Sequence, residues 1–412
     1  MKILIVGSGG REHAIGWKIK QDNPNVELFF SVGNAGTQAI GENLGLKTIA
    51  ELKEFAKTNE VDLTIVGPEM ELVDGIVDEF KTAGLEIFGP HQQAAALEGS
   101  KVFAKEFMQK HGVKTASYQT FRYFVDAKEY VESLETFPVV IKASGLAAGK
   151  GVIIAQDKFE AHEAVKDMMD DKSFGDAGDE VVIEQFLEGF ECSILSIYNG
   201  KEIVPFISAK DHKKIGEGET GLNTGGMGVI APNPLFTDAH FQEFVKDILE
   251  PTAKGLAEDG LTFSGIIFFG LMITDSGVYL LEYNVRFGDP ETEAVLPLMN
   301  SNLLEIIQKS NQGESFQIDW ENQHACCVVM ASGGYPGNYD KGFEIRGLDS
   351  VEAPLFIAGA SAMASKVVTS GGRVLNVVGL GDSLEEARNQ AYENIKKIHF
   401  DYEYYREDIG KV

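Results

Sequence analysis

The chain has 412 residues and a formal net charge of −27 at pH 7, from 63 acidic and 36 basic side chains. Such an acidic chain is unsuited to binding nucleic acid through a broad basic face. Its longest apolar runs are too short to span a bilayer, and its three cysteines lack metal-ligand spacing and fit a reducing cytoplasm. The length predicts roughly two to four structural units, and we expect a cytoplasmic protein that binds neither nucleic acid nor membrane.

Residues 1–98 alternate short apolar strands and helices at the spacing of βαβ units. Helices are predicted near 12–21, 50–58 and 71–83, and strands at Lys2–Val6, Glu27–Ser31, Asp62–Val66 and Glu86–Phe88. The first strand runs directly into polar residues, which is typical of a buried strand and not of a signal peptide. We therefore expect a Rossmann-like open sheet that binds ligands at the carboxyl ends of its strands.

Three loops follow the strands at that ligand-binding edge, namely Gly7–His13, Gly33–Thr37 and Gly67–Glu69. The first loop departs from a dinucleotide-binding fingerprint, because Glu12 stands where the last glycine belongs. The second strand also lacks the acidic residue that would bind a ribose hydroxyl. The glycines still allow backbone N–H groups to approach one phosphate at a helix start. A phosphate site and a plain strand–helix turn are equally supported by these residues alone.

Residues 99–322 form a larger predicted unit that begins with a helix over 100–111. A smaller part of it, about 117–190, has predicted strands near 117–122, 138–142, 151–155 and 180–185. Its glycine-rich and acidic connections, 143–151 and 166–180, indicate a mobile flap. Further strands are predicted near 192–198, 202–209, 263–273 and 278–284. Residues 211–232 show no periodicity, and a long structureless segment inside a compact unit is usually functional.

Residues 323–412 form a third predicted unit, which is small and of the α/β type. It contains two strand-like runs, Ala325–Ala331 and Val374–Gly379, and an amphipathic helix near 383–398. The three units together predict a multidomain architecture of α/β and α+β parts.

The loop Lys142–Val152 joins two predicted strands and contains three glycines and two lysines. Glycines allow the backbone to approach an anion closely, and the lysines supply the positive charge that a triphosphate needs. No helix follows, so this is not a Walker loop, and a flexible hairpin is the alternative. The strand that begins at Val181 ends in a turn whose backbone groups suit an adenine edge, although apolar strands ending in Glu-Gly are common.

The strongest single motif is Leu280–Glu291, in which an apolar strand ends in polar residues. Residues 282, 284 and 286 of a strand point the same way. Glu282 and Asn284 carry the hard oxygen ligands that Mg²⁺ takes together with phosphates. Arg286 beside them suits a transferring phosphoryl group, where charge compensation dominates. A surface strand with a Glu–Arg pair is the less favoured alternative, because the preceding stretch has a buried character.

With these motifs in view, the chain resembles the phosphoribosylamine–glycine ligase family of the ATP-grasp superfamily over essentially its whole length. The motifs occur in the family's order, as Gly9–Ala14, Gly67–Glu69, Leu97–Lys101, Phe103–Lys105, Gly145–Val152, Asp211–Lys213, Asn223–Gly228 and Asn284–Glu291. The resemblance implies a central ATP-grasp domain with a mobile flap between an N-terminal Rossmann-like domain (1–98) and a C-terminal domain (323–412). It also implies ligation of glycine to phosphoribosylamine with ATP, through glycyl phosphate, in purine biosynthesis.

The resemblance further implies roles for individual residues. The ATP site would comprise Lys105, Lys142, Gly149, Lys150, Gly151, Glu184, Gln185, Phe186, Leu187 and Glu191. Phosphoribosylamine would be held by Gly9, Gly10, Arg11, Glu12, His13, Gly67, Pro68 and Glu69. Glycine and the acyl phosphate would lie near Asp211, Asn223, Thr224, Arg286 and Asp289. Glu282 and Asn284 would bind Mg²⁺ or Mn²⁺, and the protein would be a monomer or a weak dimer.

Several positions depart from the family's usual residues. Ser144 stands in place of Asp, Glu293 in place of Gln, and Ile357 in place of a His in the C-terminal domain. Lys210, Leu222 and Tyr283 are further departures from Gln, Pro and Phe. The change at Ile357 puts a C-terminal histidine contact with substrate in question. None of the changes replaces Glu282, Asn284 or the run from Arg286 to Glu291.

Three other functions are weighed against this one. A formate-using or bicarbonate-using ATP-grasp ligase of the purine pathway would share the metal strand but not the Gly9–His13 loop. An NAD-dependent dehydrogenase is disfavoured by Glu12, and a non-catalytic nucleotide-binding regulator is disfavoured by the retention of Glu282, Asn284 and Arg286 together.

Overall fold

The computed structural model describes residues 1–147 and 151–411. The N-terminal unit contains strands β1 to β5 and helices α1 to α6. In chain order these are β1 Lys2–Val6, α1 Gly10–Asp22, β2 Glu27–Phe30, α2 Thr37–Ile40, β3 Glu42–Asn43, α3 Ile49–Thr58, β4 Leu63–Val66, α4 Glu69–Val73, α5 Ile76–Thr82, β5 Ile87–Phe88 and α6 Gln92–Gly99. The five strands form a parallel sheet in the order β3-β2-β1-β4-β5.

Strand β1 is buried on both faces, as expected for a parallel strand covered by helices on each side. Ile3 and Ile5 share a core with residues of α1, whereas Leu4 and Val6 share another core with residues of α3 and α5. This alternation follows from the two-residue period of a strand. The predicted helix over 71–83 is wrong in one respect, because Gly75 at φ +86° separates it into α4 and α5.

A four-stranded antiparallel sheet with two helices follows helix α7 and corresponds to the predicted flap. Its elements are α7 Lys101–His111, β6 Tyr118–Phe121, α8 Phe124–Ser133, β7 Val139–Ala143, β8 Val152–Ala155, α9 Lys158–Met169 and β9 Val181–Gln185. The strand order is β6-β9-β7-β8. Apolar residues of α8, α9 and the sheet form a hydrophobic cluster of their own, so this part packs as a separate small layer.

The rest of the chain is built around one large antiparallel sheet. Its elements are β10 Phe190–Tyr198, β11 Ile203–Asp211, β12 Lys214–Gly216, β13 Thr220–Asn223, β14 Gly228–Ala231, α10 Asp238–Phe244, α11 Glu250–Glu258, β15 Gly265–Thr274, β16 Gly277–Asn284, α12 Glu291–Val295, α13 Leu303–Asn311, β17 His324–Ser332, β18 Leu355–Ile357, β19 Ala360–Met363, β20 Lys366–Thr369, β21 Arg373–Gly381, α14 Leu384–Ile395 and β22 Glu403–Tyr404. A π-helical turn, Val245–Leu249, connects α10 to α11, and short 3₁₀ turns cover Gly175–Gly178, Leu296–Leu298 and Leu348–Ser350.

This sheet runs β16-β15-β10-β11-β14-β17-β21-β18, and β22 pairs with β17. Strand β14 pairs with β17 from Gly228 to Ala231, so the strands of the C-terminal unit continue the sheet of the central one. Nowhere in the described parts of the chain is there a helix with the length and apolar character needed to cross a membrane.

The prediction that residues 211–232 lack structure is wrong. The hairpin β12–β13 pairs Lys214 with Asn223, and β14 is a buried strand of the central sheet. The hairpin is clasped by the C-terminal segment through Arg406, whose guanidinium is fully buried. Arg406 donates to the Lys214 carbonyl at 2.9 Å, to Glu219 at 2.8 Å and to Asp408 at 2.7 Å.

Arg406→Met is expected to lower the free energy of unfolding by about 3 kcal/mol, because a buried ion pair loses one partner. Burial opposes ionisation of Asp408, but hydrogen bonds from Arg406 and Gly218 lower its pKa from 3.8 to about 2. The stabilisation that Asp408 contributes is therefore present above pH 4 and is lost as the pH falls through about 2. Urea denaturation at pH 7 and at pH 3 measures both effects. Arg346→Met, at an exposed arginine, is the control and should change stability little; equal losses in the two variants would contradict the assignment.

Candidate active site

A buried carboxylate, Glu184 on a strand of the flap sheet, pairs with two lysines. Glu184 lies on β9 and forms an ion pair with Lys105 Nζ at 2.6 Å, and Lys142 Nζ contacts its other oxygen. All three side chains are buried. Lys105 also donates to Thr115 Oγ1 at 2.7 Å. Two cations face one anion here, so the cluster carries one uncompensated positive charge toward any ligand.

The pKa values of the three groups reflect this crowding. Burial lowers the pKa of Lys105 to about 8, although Glu184 opposes the shift. Burial also disfavours the charged form of Lys142, but Glu184 and Glu282 outweigh it and raise the pKa of Lys142. For Glu184, burial is outweighed by the two lysines, which hold its pKa below the ordinary value. The site is therefore prepared for an anion with ionised groups already in position.

The end of β16 presents Glu282 and Asn284 on the same side of the strand, as the two-residue period predicts. Gly270 pairs with Glu282 across the ladder, and a Cβ there would lie only 3.3 Å from Glu282 Cγ. Burial opposes ionisation of Glu282, but Lys213, Lys142 and Lys101 outweigh it and lower its pKa. An ionised carboxylate and an amide oxygen are thus available side by side.

Among the residues that the structure describes, no three His, Cys, Asp or Glu side chains are clustered as metal ligands. A divalent cation at Glu282 and Asn284 would therefore need oxygen ligands from a bound phosphate or from water. Such partial coordination by protein is what Mg²⁺ prefers. The chemistry of the two donors fits the metal, and neither side chain needs a proton removed before it binds.

Arg286 connects this strand end to the N-terminal unit. Its guanidinium donates to Asn284 Oδ1 at 3.3 Å and forms an ion pair with Glu98 at 3.0 Å. Arg286 Nε lies 3.4 Å from Glu69 and has no hydrogen-bond partner of its own. Glu98 is buried and also accepts from Val285 N at 2.8 Å. Arg286 is therefore held between two carboxylates of the N-terminal unit and the amide of Asn284.

The Gly9–His13 loop is shaped by the side chain of Glu12. Its carboxylate accepts from Gly9 N at 2.5 Å and pairs with Arg11 Nε at 2.5 Å. A Cβ on Gly67 would lie 1.9 Å from Glu12 Oε1, so only glycine fits at that position. In a dinucleotide-binding loop a glycine at this position allows close packing of the helix on the strand, whereas here the Glu12 side chain turns back to the loop backbone. The departure noted in the sequence is thus a structural feature of this loop.

A cleft of about 460 Å³ opens at the carboxyl ends of β1 and β4. It is lined by Gly7, Ser8, Gly9, Arg11, Glu12, Ser31, Val32, Leu46, Lys47, Leu52, Pro68, Met70, Glu71 and Asp289. Glu69 stands close by at the start of α4. Burial opposes its ionisation, but Arg286 and Arg11 outweigh burial and lower its pKa. Glycine backbone, an arginine and a lysine meet here, which suits a phosphorylated ligand.

A second group of predicted residues surrounds the segment from β11 to β14. Asp211 ends β11, and burial together with nearby Glu291 raises its pKa. Thr224 Oγ1 donates to the Lys213 carbonyl at 2.8 Å and accepts from Gly226 N at 3.0 Å. Asn223 is exposed at the end of β13. Lys213, which follows Asp211, lies near the carboxylate of Glu282 and lowers the pKa of that group.

Some residues predicted for the substrate and ATP sites make contacts elsewhere or lie outside the described part of the chain. His13 Nδ1 accepts from Ile357 N at 2.9 Å, and burial lowers its pKa to about 4, so its ring packs against the C-terminal unit. Gly10 also faces that unit, since a Cβ there would meet Asn376 at 2.4 Å. Gly149 and Lys150 lie outside the described residues. Glu191 forms an ion pair with Lys213 at 3.0 Å.

The remaining predicted ATP-site residues are grouped near Glu184. Gly151 directly precedes β8, and Gln185, Phe186 and Leu187 lead from β9 toward β10. Gln185 N donates to the Ser117 carbonyl at 2.9 Å, which fixes the start of this connection. Leu187 is followed by exposed Glu188, so the connection is open to solvent on one side.

Four residues were not predicted as site residues: Glu98, Lys101, Lys213 and Arg373. Glu98 and Lys101 belong to a motif seen in the sequence, and Lys213 follows Asp211, so their positions were available as signals. For Arg373 there was none. Its guanidinium contacts Asp289 Oδ1 at 2.8 Å from a strand more than eighty residues later.

The comparisons with known proteins agree with one another. Family models for the N domain, the ATP-grasp (A) domain and the C domain of phosphoribosylglycinamide synthetase match residues 1–98, 99–292 and 325–412. The chain is 56% identical to a phosphoribosylamine–glycine ligase of Fusobacterium nucleatum, over all of this chain and 99% of that protein. It is 52% identical to one of Clostridium acetobutylicum, over the full length of both.

A solved structure gives the same result. The crystal structure of a phosphoribosylamine–glycine ligase from Thermotoga maritima superposes with a TM-score of 0.88 at 35% identity. The match covers 99% of this chain and all of that one. The two folds therefore correspond from end to end.

Glu184→Gln is expected to lower the free energy of unfolding by about 3 kcal/mol, because two buried ammonium groups lose their counter-ion. The pKa of Glu184 is lowered, so its contribution is present above its ordinary pKa and is lost as the pH falls through the depressed value. The difference from the unmodified protein should therefore shrink in acid. Urea denaturation at pH 7 and below pH 4 tests both statements. Glu188→Gln, at an exposed position four residues later, is the control, and an equal loss there would contradict the assignment.

Proposed function

Since the chain belongs to the phosphoribosylglycinamide synthetase (phosphoribosylamine–glycine ligase) family and ligates glycine to phosphoribosylamine with ATP, we propose that the described cleft and the end of β16 form its active site. The position of Arg286 is the observation on which this assignment rests. Arg286 connects Glu69, which lies beside the cleft suited to a phosphorylated ligand, to Asn284, which lies on the strand proposed to bind the metal. Phosphoribosylamine in the cleft and the metal-bound ATP at the end of β16 would therefore meet at this side chain.

ATP is proposed to lie between the flap and the central sheet. The cluster of Lys105, Lys142 and Glu184 carries a net positive charge and suits the phosphates, and Gln185–Leu187 supply backbone groups for adenine. Glu191 would accept from the ribose, and Gly149–Gly151 would cover the triphosphate. Mg²⁺, or Mn²⁺ in its place, would be bound by Glu282, Asn284 and phosphate oxygens. When bound, the metal offsets the repulsion between a carboxylate and the triphosphate.

The proposed reaction solves a leaving-group problem. An oxygen of the glycine carboxylate attacks the γ-phosphorus, the bond to the β–γ bridging oxygen breaks, and ADP leaves. The amine of phosphoribosylamine then attacks the acyl carbon, the bond to the phosphate oxygen breaks, and a proton is lost from nitrogen. The products are glycinamide ribonucleotide, ADP and phosphate. Holding the reactants together contributes roughly 7–11 kcal/mol to lowering such barriers.

The protein's own residues would bind and orient these groups. Arg286 would stabilise charge on the transferring phosphoryl group, as oriented donors do. Asp211 has an oxygen without a hydrogen-bond partner, and its raised pKa is due first to burial. A glycine ammonium beside Asp211 would favour the ionised form of Asp211 and be fixed by it. Asn223 and Thr224 would close the loop over glycine, and Asp289, which lines the cleft, would lie beside the acyl phosphate. Gly9–His13 and Gly67–Glu69 would bind phosphoribosylamine.

The domain bounds, the location in the cell and the oligomeric state are also part of the proposal. The domains are proposed to span 1–98, 99–322 and 323–412, with the flap over about 117–190. The cysteines Cys192, Cys326 and Cys327 are all buried and unpaired, which suits a reducing cytoplasm. We also propose a monomer or a weak dimer that does not bind nucleic acid, in accord with the net charge of −27.

Substrate specificity separates this function from that of a formate-using or bicarbonate-using ligase. With Mg²⁺ and ATP, we expect ADP and glycinamide ribonucleotide to form in equal amounts only when glycine and phosphoribosylamine are both present. Formate or bicarbonate in place of glycine should give background ADP release. The measurement is ADP by a coupled assay and the amide product by mass spectrometry. Equal turnover with either replacement would show that the proposed substrate is wrong.

Glu282→Ala and Arg286→Ala are each expected to lower kcat for ligation by about 10²–10³-fold or more. The first removes a proposed ligand of the metal, and the second removes a donor that stabilises charge on the transferring phosphoryl group. The fold should be retained, as judged by circular dichroism, although Arg286→Ala should unfold at a lower midpoint because Glu98 loses its ion-pair partner. Asp275→Ala, in the exposed turn that precedes β16, is the control and should turn over normally. Normal turnover in Glu282→Ala or in Arg286→Ala would refute the site assignment.

A further inference from the structure

The backbone N–H and C=O of Gly225 both form hydrogen bonds with side chains of the C-terminal unit. Arg373 at the start of β21 donates to the Gly225 carbonyl at 2.6 Å, and Gly225 N donates to the Tyr335 hydroxyl at 3.1 Å. A Cβ on Gly225 would lie 3.0 Å from the guanidinium carbon of Arg373, so the loop backbone approaches that side chain closely. The glycine-rich segment Asn223–Gly228, hereafter the Gly225 loop, is thus bound to residues far away in sequence.

The same guanidinium also holds Asp289. It donates to the Asp289 carbonyl at 2.9 Å and forms an ion pair with Asp289 Oδ1 at 2.8 Å. Asp289 lines the cleft beside Gly9. Both side chains of the pair are mostly buried, with 20% and 16% of their surface exposed. One arginine therefore connects the loop proposed for glycine with the cleft proposed for phosphoribosylamine.

Tyr335 supports this arrangement by packing on the backbone next to Arg373. A Cβ on Gly372 would lie 2.3 Å from Tyr335 Cδ2, so the ring rests directly against that peptide. Tyr335 therefore contacts the loop through its hydroxyl and the backbone next to Arg373 through its ring. Charge-assisted hydrogen bonds such as those of Arg373 are among the stronger contacts in proteins.

We propose that Arg373 is a positioning residue that couples the two substrate sites, by holding the Gly225 loop and Asp289 in one fixed arrangement over the acyl phosphate. The inference rests on the proposed function, since it assigns the loop to glycine and the cleft to phosphoribosylamine. It makes the C-terminal unit a part of the active site. The position where the family usually has a C-terminal histidine is occupied by Ile357, and Arg373 and Tyr335 are C-terminal residues that reach the loop here.

Loss of this coupling has a definite chemical consequence. If the loop is released, water reaches the acyl phosphate before the amine does. The water oxygen forms a bond to the acyl carbon, and the bond from that carbon to the phosphate oxygen breaks. Glycine is regenerated, inorganic phosphate is formed, and a proton is released to solvent. ATP is then consumed without amide formation, so the ratio of phosphate released to amide formed rises above one.

The experiment compares Arg373→Met with Arg388→Met in the full-length protein. Arg388 donates to the Ile409 and Glu407 carbonyls and does not contact the Gly225 loop, so it is a matched control in the same unit. Phosphate and glycinamide ribonucleotide are measured together, with KM for glycine. For Arg373→Met we expect the ratio of phosphate to amide and the KM for glycine each to rise about ten-fold, as loss of a charged hydrogen bond allows. Arg388→Met should keep a ratio near one.

Tyr335→Phe gives a second, gentler test that removes only one hydroxyl group. It is expected to raise the same ratio by about two- to three-fold with an unchanged unfolding midpoint. Should Arg373→Met fail to fold, this variant decides, and an unchanged ratio and KM would overturn the inference. A normal ratio in folded Arg373→Met would overturn it as well. If the unmodified protein shows no glycine-dependent ligation, the proposed function fails first and the inference fails with it.

Discussion

The arrangement of the whole site depends on one arginine held between carboxylates. Arg286 follows β16 and contacts Asn284 on its own segment, Glu98 at 3.0 Å and Glu69 at 3.4 Å. A guanidinium is suited to this task because its donors point in several fixed directions and it stays charged. Leaving such a charge without a partner inside the protein would be costly. The N-terminal unit is therefore required to present its two carboxylates at this strand end.

The local charge of the site is opposite to that of the chain. The protein carries a net charge of −27, yet lysines 101, 105, 142 and 213 gather near Glu184 and Glu282. Burial alone would drive these groups toward their neutral forms. Attraction between the lysines and the carboxylates keeps most of these groups ionised, while Lys105, with a pKa of about 8, is nearest to losing its proton. A surplus of positive charge in a buried place is what an anionic nucleotide requires.

Much of the architecture followed from apolar periodicity, because that pattern reports local geometry. Strands β1, β10, β15 and β17 were predicted within a few residues, since each is an apolar run with a clear end. The hairpin β12–β13 was missed because it is short, polar and half-exposed, and its strands pair only with each other. Helix α9 occupies the start of a segment that was predicted to be an acidic connection.

The residues of the site divide in the same way. Glu282 and Asn284 could be paired from their spacing on one strand, and the resemblance of the motifs brought in the loops. Arg373 could not be found by such reasoning, because its partner Asp289 is 84 positions away and no local pattern records the pair. Glu98 stands in a recognisable motif, but its ion pair with Arg286, 188 positions later, is visible only in the structure. Ser144, where the family usually has Asp, shows a related effect. Its hydroxyl accepts from Val102 N at the start of α7, a role visible only once the two segments are side by side.

The pairing of β14 with β17 has a consequence for how the molecule can be divided. Residues 228–231 are buried and carry a ladder on both sides, to β11 and to β17. A protein shortened before residue 324 would leave one side of that ladder open along an apolar strand. Unprotected edges of this kind recruit further chains and lead to aggregation. The C-terminal segment thus covers the edge of β14 and opposes aggregation. Fragments cut at the family's domain boundaries are therefore expected to aggregate more readily than the intact chain.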